Sequence, residues 1–183
     1  MSLTEYADLA PEERLPAKRK YLRYYLLGVI DSEGCFHVSL KKQAHARYGW
    51  VLDPVFHVCQ HKRAEPVLQL MHRELRCGRV VADRDSPELR RFVVDNRQQI
   101  REALLPYLRR HKLIIEWNDF AKFAEIVEAL ERGDHKDYDK FVELVRKAFP
   151  MIMNEEQRGY KLDEVLMDLN RRHLRDYTPD TRA

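Results

Sequence analysis

The fold is decided by the stretch Leu26-Leu27-Gly28-Val29-Ile30-Asp31-Ser32-Glu33-Gly34, where a helical pattern of residues gives way to an alternating one. The spacing from Arg19 to Ser32 predicts a helix, because its apolar residues fall on one stripe: Leu22, Leu26, Leu27, Val29 and Ile30. Gly28 and Ser32 place two small residues one turn apart on one helix face. Gly34 follows at the position where a left-handed residue is expected to end the helix.

Alternation of apolar and polar residues predicts the strands that follow. Phe36, Val38 and Leu40 alternate with polar neighbours, which is typical of a strand with one buried and one wet face. Further strands are expected at 51–60, 79–84 and 89–95, and helices at 66–76, 98–108, 118–130, 138–148 and 162–174. This order predicts an α+β fold with an αββαββα core, an antiparallel sheet and extra C-terminal helices. We therefore expect an N-terminal arm (1–18), a core domain (19–130) and a C-terminal helical extension of the same domain (131–183).

Composition excludes several classes of protein. The chain has 183 residues, of which 44% are hydrophobic and 34% are charged, and this excludes a disordered or fibrous polypeptide. Charged residues interrupt every apolar run before the roughly 20 residues that a membrane span needs, so no membrane partner is expected. The three cysteines (Cys35, Cys59 and Cys77) lack metal spacing, and the N-terminus is acidic rather than signal-like. These features favour an intracellular protein, in a bacterial cytoplasm or an organelle, and not a secreted one.

Charge is distributed unevenly along the chain. The net charge of +3 is too small to indicate a nucleic-acid partner by itself. Residues 37–63, however, hold five Lys or Arg side chains and one acidic one, whereas residues 116–168 hold eight basic and 14 acidic side chains. A molecule with a basic front and an acidic back orients itself in front of a polyanion, because its electrostatic field steers the encounter.

Residues 26–34 resemble the LAGLIDADG motif of the homing endonucleases. They match it at Leu26, Gly28, Ile30, Asp31 and Gly34, and the order of the predicted elements over about residues 20–130 is also similar to that family. The resemblance implies a homing-endonuclease-like fold whose sheet forms a DNA-facing saddle, and a sequence-specific double-strand DNA endonuclease. Because the chain holds one motif, the resemblance also implies a homodimer, with Leu26, Gly28 and Ser32 at the dimer interface.

The resemblance further implies an active site at the end of the motif. Glu33 corresponds to the metal-binding carboxylate, with the backbone carbonyl of Ser32 as a second ligand. Mg²⁺ is the expected cofactor, since oxygen ligands favour hard cations, with Mn²⁺ or Ca²⁺ as alternatives. Gln60 matches a polar residue that orders water, and Arg63 is expected to substitute for a family arginine that is replaced by Ala64 in this chain.

One departure from the family concerns a lysine that approaches the active site ahead of the last core helix. In the register set by the following helix, Glu116 occupies the place of that lysine. A carboxylate cannot supply positive charge to a transition state. Either Lys112 or His111 compensates, or cleavage is weakened or lost.

The polar face of the predicted sheet carries side chains that read base edges in a major groove. The residues expected to face the duplex are His37, Ser39, Lys41, Gln43, His57, Val81, Asp83 and Arg91. Arg47, Tyr48 and Arg84 lie near loop tips and are expected to hold phosphates. Two rival functions stay open: a non-cleaving DNA-binding protein or intron RNA maturase on the same fold, and an unrelated α+β interaction protein.

Overall fold

The computed structural model describes residues 13–14, 19–152 and 159–177. Of the predicted N-terminal arm, all but 13–14 lies outside the described residues. The strands are β1 (Gly34–Lys42), β2 (Trp50–His61), β3 (Arg79–Ala82) and β4 (Leu89–Val94). The α-helices of the described ranges are α1 (Arg19–Glu33), α2 (Glu65–Leu75), α3 (Arg97–Gln99), α4 (Leu105–Arg110), α5 (Trp117–Arg132), α6 (Tyr138–Ala148) and α7 (Leu162–Tyr177). A π-helical turn, Ile100–Leu104, joins α3 to α4.

The four strands follow the predicted order along the chain and are arranged in the sheet as β1-β2-β4-β3. The pairs of β2 with β4 and of β4 with β3 are antiparallel. Phe56, Val58, Phe92 and Val94 are all fully buried, and their register places them on one face of the sheet. The predicted α+β class is therefore confirmed. None of the described helices is long and apolar enough to cross a membrane.

Contacts divide the chain into two compact units that interleave along the sequence. Of the described residues, the first unit holds those up to Cys35 and residues 56–118, and the second holds residues 36–55 and those from 119 onward. In the first unit α2 packs on β3 and β4, and Leu68 and Met71 of α2 have no exposed surface. The Arg23 guanidinium binds the Glu74 carboxylate at 2.5 Å and so joins α1 to α2.

The second unit is centred on aromatic contacts. The Phe36 ring lies 5.6 Å from the Phe120 ring and 5.5 Å from the Phe123 ring of α5. Near the start of β2, the buried Trp50 indole N–H donates to Asp168 of α7 at 2.9 Å. Arg171 and Arg172 bind the same carboxylate, so Asp168 has three partners around it.

Gly34 is needed for a reason different from the predicted one. Its φ angle is not positive, so the prediction of a left-handed residue that ends α1 is wrong. A Cβ atom on Gly34 would instead collide with the Ile30 carbonyl oxygen and lie 3.2 Å from the Phe56 ring. Glycine allows the chain to pass from helix to strand directly against the core.

Asp168 provides a pH-dependent test of the second unit. Its hydrogen bond with Arg171 is the main cause that lowers the pKa of Asp168 from 3.8 to about 2, although burial acts to raise it. A carboxyl group with a lowered pKa stabilises the fold fully above pH 3.8 and loses that contribution as the pH falls through about 2. We expect Asp168→Asn to lower the free energy of unfolding by about 2 kcal/mol at neutral pH, because it removes charge-assisted hydrogen bonds. Urea unfolding at several pH values measures this, and a variant whose stability still falls across that window as in the wild type would contradict it.

Candidate active site and nucleic-acid interface

Glu33 is the last residue of α1, and its side chain is exposed. Among the described residues, none forms a hydrogen bond or an ion pair with its carboxylate. Ser32, also exposed, donates from its hydroxyl to the Val29 carbonyl at 3.4 Å. The end of the motif helix therefore presents an exposed carboxylate, and carboxylate and carbonyl oxygens are the ligands that hard divalent cations prefer.

Asp31 has a structural partner instead. Its carboxylate accepts hydrogen bonds from the backbone N–H groups of Ile114, Ile115 and Glu116 at 2.9–3.1 Å. These groups lie immediately before α5, where backbone N–H groups lack helical partners. Burial acts to raise the pKa of Asp31, but the three N–H groups outweigh it and hold the pKa below its usual value of 3.8. Asp31 thus fastens the end of α1 to the start of α5 as a charged carboxylate.

One face of α1 is open to solvent. Tyr21 is 56% exposed and Tyr24 is 61% exposed, and Gly28 lies one turn beyond Tyr24 on the same side. A Cβ atom on Gly28 would meet nothing within 4 Å, so this glycine is not required by packing inside the described part of the chain. Leu26 has no exposed surface. Its predicted place in a dimer interface is therefore wrong, because a side chain in the core offers no surface to a partner.

A groove of about 410 Å³ lies beside this face, between α1 and residues 110–114. Its rim carries Ile114, which is 89% exposed, followed by the exposed Ile115. Lys112 is exposed and lies over the Trp117 ring, with its Nζ atom 5.8 Å from the ring centre.

The other predicted catalytic residues lie at the end of β2. Gln60 is half-buried and pairs across the sheet with Arg90 of β4. Arg63 is exposed in the short 3₁₀ turn Lys62–Ala64, where its backbone N–H donates to the His61 ring at 3.2 Å. The neighbouring Lys62 is bound by Glu88 at 2.9 Å, so Arg63 is the more available of the two cations.

The register of β2, β3 and β4 aligns Cys59, Val81 and Arg91 on one face of the sheet. Arg91 forms an ion pair with Asp83 at 2.6 Å and keeps an exposed side chain. Arg84, in the turn that follows β3, is also exposed. Val81, Arg84 and Arg91 thus keep accessible surface, and their contacts with DNA stay predictions.

Asp83 cannot read a base as predicted. Its side chain is only 5% exposed, and it accepts hydrogen bonds from the backbone N–H groups of Asp85 and Ser86 while it holds Arg91. The carboxylate thus closes the turn between β3 and β4 and positions an arginine. The sequence Asp83-Arg84-Asp85-Ser86 carries the signal for such a turn, because an aspartate often binds the backbone two residues on.

His57 also departs from the prediction. It is 7% exposed, so it is not an open base-reading side chain. Burial is the main cause that lowers the pKa of His57, and Arg91 lowers it further against an opposing effect of Asp83. The alternation of apolar and polar residues could not reveal this burial. It predicts which face of the sheet a residue lies on, but not whether neighbouring side chains bury that face.

The second unit carries the remaining predicted DNA contacts. On β1, Ser39 and His37 are half-buried and Lys41 is exposed, with its Nζ atom 3.0 Å from the Asp53 carboxylate. Gln43 and Arg47 are exposed in the loop that joins β1 to β2. Tyr48, expected near this tip, is buried instead, and the Arg47 guanidinium lies 5.6 Å from its ring centre.

The fold is that of known homing endonucleases. The DNA-bound archaeal intron-encoded homing endonuclease I-Vdi141I superposes with a TM-score of 0.78 at 30% identity, over 86% of this chain and 99% of that one. The DNA-bound I-CeuI has a TM-score of 0.76 over 85% of this chain and 78% of that one, and at 22% identity it supports the fold alone.

Sequence comparison places the chain in a family. The homing endonuclease I-ApeII of Aeropyrum pernix is 31% identical over 149 residues, which cover 79% of this chain and 88% of that protein. The model of the LAGLIDADG endonuclease family matches residues 26–127. The chain therefore belongs to the LAGLIDADG endonuclease family, as its motif predicted. Endonucleases of this family depend on divalent metal ions in general.

The role of Asp31 can be measured directly. Asp31→Ala leaves the N–H groups of residues 114–116 without their acceptor, so we expect a loss of about 2 kcal/mol in unfolding free energy. We also expect faster hydrogen exchange at these three amides, whereas Ser32→Ala should leave their exchange unchanged. Equal protection of the three amides in Asp31→Ala and in the wild type would show that this contact does not hold the segment.

Proposed function

We propose that the protein is a sequence-specific DNA endonuclease that cuts both strands of a long, near-palindromic duplex site as a homodimer. The observation that carries this proposal is Glu33, an exposed carboxylate at the end of the family's motif helix. Its neighbour Asp31 is engaged by backbone, which leaves Glu33 as the acidic residue of the motif that is available for chemistry. The named relatives are homing endonucleases, which supports the same reaction class here.

The donor set at the end of α1 fits a hard divalent cation, with Mg²⁺ as the proposed ion and Mn²⁺ or Ca²⁺ as possible replacements. Glu33 would hold it through its carboxylate, and Ser32 through its backbone carbonyl. When bound, such an ion polarises the scissile phosphate and lowers the pKa of a water molecule. Gln60 is proposed to orient water by hydrogen bonds, and Arg63 or Lys112 to offset the negative charge that develops on the phosphate.

A second copy is the proposed partner of the open face of α1. The chain holds one copy of the motif, and Gly28 and Ser32 keep this face free of large side chains at the position where two helices would meet. Small residues allow helix backbones to approach closely, and a two-fold axis would bring the two Glu33 carboxylates together. A symmetric pair also explains why a near-palindromic target is expected, because each subunit would read one half.

The proposed base-reading residues are those predicted side chains on the sheet and its loops that are exposed or half-buried. Arg91 and Lys41 suit guanine, Gln43 suits adenine, and Val81 suits the methyl group of thymine. His37 and Ser39 are further proposed contacts, whereas Arg47 and Arg84 are proposed to hold phosphates and set the register of the duplex. The partner is double-stranded DNA inside a cell, in a bacterial cytoplasm or an organelle.

One observation favours a second candidate function on the same fold. In the predicted register, Glu116 stands where the family often carries a lysine, and its backbone N–H donates to the Asp31 carboxylate at 3.0 Å. A protein that binds DNA without cutting it, or one that binds intron RNA, needs no cation at this position. Duplex binding without cleavage would identify the first, and a preference for structured intron RNA would identify the second.

The endonuclease activity depends on Glu33 in this proposal. Incubation with a library of duplex sites and Mg²⁺ should yield double-strand cuts, and Glu33→Gln should reduce the cleavage rate by at least about 10³-fold, because it removes a metal ligand while keeping the side-chain shape. The matched control is Glu143→Gln, which changes an exposed glutamate on α6. Cleavage at the wild-type rate by Glu33→Gln would refute the proposed role of this residue.

A substitution at Gly28 tests self-association without changing the packing of the single chain. Since a Cβ atom at Gly28 has open space in the single chain, Gly28→Leu should leave the monomer folded. Between two close helices the added side chain costs about 1–3 kcal/mol, so the dimer dissociation constant should rise by about 5- to 150-fold. Sedimentation equilibrium measures this, with Glu143→Leu as the control for a leucine on an exposed helix. An unchanged dissociation constant, or a wild-type protein that stays monomeric with and without DNA, would contradict the proposed interface.

A further inference from the structure

The second unit contains a basic cluster of which only Arg47 belongs to the interface described above. It comprises Arg171 and Arg172 of α7, Lys42 at the end of β1 and Arg47 in the β1–β2 loop, and we call it the α7 cluster. Arg171 is 65% exposed, and Lys42 and Arg47 are also exposed. The family model ends at residue 127, so α7 lies beyond the part of the chain that it matches.

Contacts in the second unit connect three of these cations, Arg171, Arg172 and Lys42. Asp168 binds both Arg171 and Arg172, and its other partner is the Trp50 indole. The Lys42 Nζ atom lies 5.1 Å from the centre of the Trp50 ring. One carboxylate thus offsets only part of the positive charge around it, and the remaining charge faces solvent.

The loop between β1 and β2 contacts the same helix. Gly49 adopts φ +72°, and the Arg172 guanidinium occupies the space where a Cβ atom would stand. Within the loop, the Gln43 N–H donates to the Gly49 carbonyl at 2.9 Å, and the Gly49 N–H donates to the Ala46 carbonyl at 2.8 Å. A loop that is ordered before binding loses less conformational entropy when it meets a ligand.

Aromatic packing fixes the position of Arg47 as well. The buried Tyr48 ring stacks on Phe141 at 5.7 Å, and its hydroxyl donates to the Lys136 carbonyl at 3.1 Å. The Arg47 guanidinium lies against this buried Tyr48 ring. The exposed Arg47 guanidinium therefore lies next to a residue that is packed in the core.

We propose that α7 and the β1–β2 loop form a second phosphate-binding surface, which holds the backbone of duplex DNA outside the segment that the sheet reads. This inference rests on the proposed function. Arg171 and Arg47 contact phosphates, whereas Asp168 and Arg172 are positioning residues that hold them in place. Duplex DNA fits this surface because Lys41 and Gln43, two proposed base contacts, flank Lys42 on the same strand and loop, so that a duplex followed outward from them reaches the cluster.

Salt-dependent binding tests this surface. Arg171→Ala removes an exposed charge and leaves Asp168 with Trp50 and Arg172 as partners. Loss of one phosphate contact should make the slope of log Kd against log salt concentration shallower by about 1, and should weaken binding by about fivefold in dilute salt for duplexes of any sequence. The matched control is Arg146→Ala, which removes an equal charge from an exposed site on α6.

Duplex length and Asp168 supply two further readouts. On a duplex too short to reach past the base-reading strands, Arg171→Ala should bind like the wild type. Asp168→Asn adds one unit of positive charge to the protein, so bulk electrostatics alone would tighten DNA binding, whereas loss of positioning should weaken it. This variant is measured at a temperature where its circular dichroism matches that of the folded wild type.

The possible outcomes separate the inference from the proposed function. If the wild type binds duplex DNA but Arg171→Ala and Arg146→Ala bind alike at every salt concentration, the second surface is refuted and the endonuclease proposal stands. An Arg171→Ala effect that persists on the short duplex also refutes it. If the wild type shows no salt-dependent affinity for any duplex, the proposed function fails and this inference fails with it.

Discussion

In the first unit, the Asp31 carboxylate fixes the end of α1 by accepting hydrogen bonds from three backbone N–H groups. These groups belong to residues 114–116, more than 80 positions along the chain, so the contact joins the end of α1 to the start of α5. Because the same helix turn carries Glu33, this contact also determines where the exposed carboxylate stands. The two acidic residues of the motif thereby have separate tasks: Asp31 binds backbone, and Glu33 remains open.

Buried carboxylates that hold exposed cations recur in the molecule. Asp83 closes a turn and holds Arg91, and Asp168 binds Trp50 and holds Arg171. In each pair the carboxylate is largely buried while the arginine keeps exposed surface. Such an arrangement restricts the arginine before binding, which reduces the entropic cost when it meets a phosphate or a base. The basic side chains proposed to contact DNA are therefore supported by acidic ones that do not touch it.

The element order and the sheet alternation could be predicted from the sequence because periods of 2 and 3.6 residues directly report which face is buried. The observed bounds of β2, Trp50–His61, and of α6, Tyr138–Ala148, lie close to the predicted ones. The position of Glu33 at the end of α1 also agreed with the motif. Long-range packing could not be predicted. Periodicity did not show that the His57 side chain is buried, that the Asp83 carboxylate is buried and bound to Arg91, or that Leu26 lies wholly in the core. Gly34 was placed correctly but for the wrong reason, since steric contact with Ile30 and Phe56, and not its φ angle, excludes a side chain.

Glu33 is proposed to bind a divalent ion where two copies of α1 meet on DNA. Crystals of the protein with a duplex that it cuts, grown with Mn²⁺ and measured for anomalous scattering, would show where the ion lies. We expect manganese peaks in contact with the Glu33 carboxylates of two copies whose α1 helices pack through Gly28. Manganese bound only at other residues, or copies whose α1 helices lie apart, would contradict it.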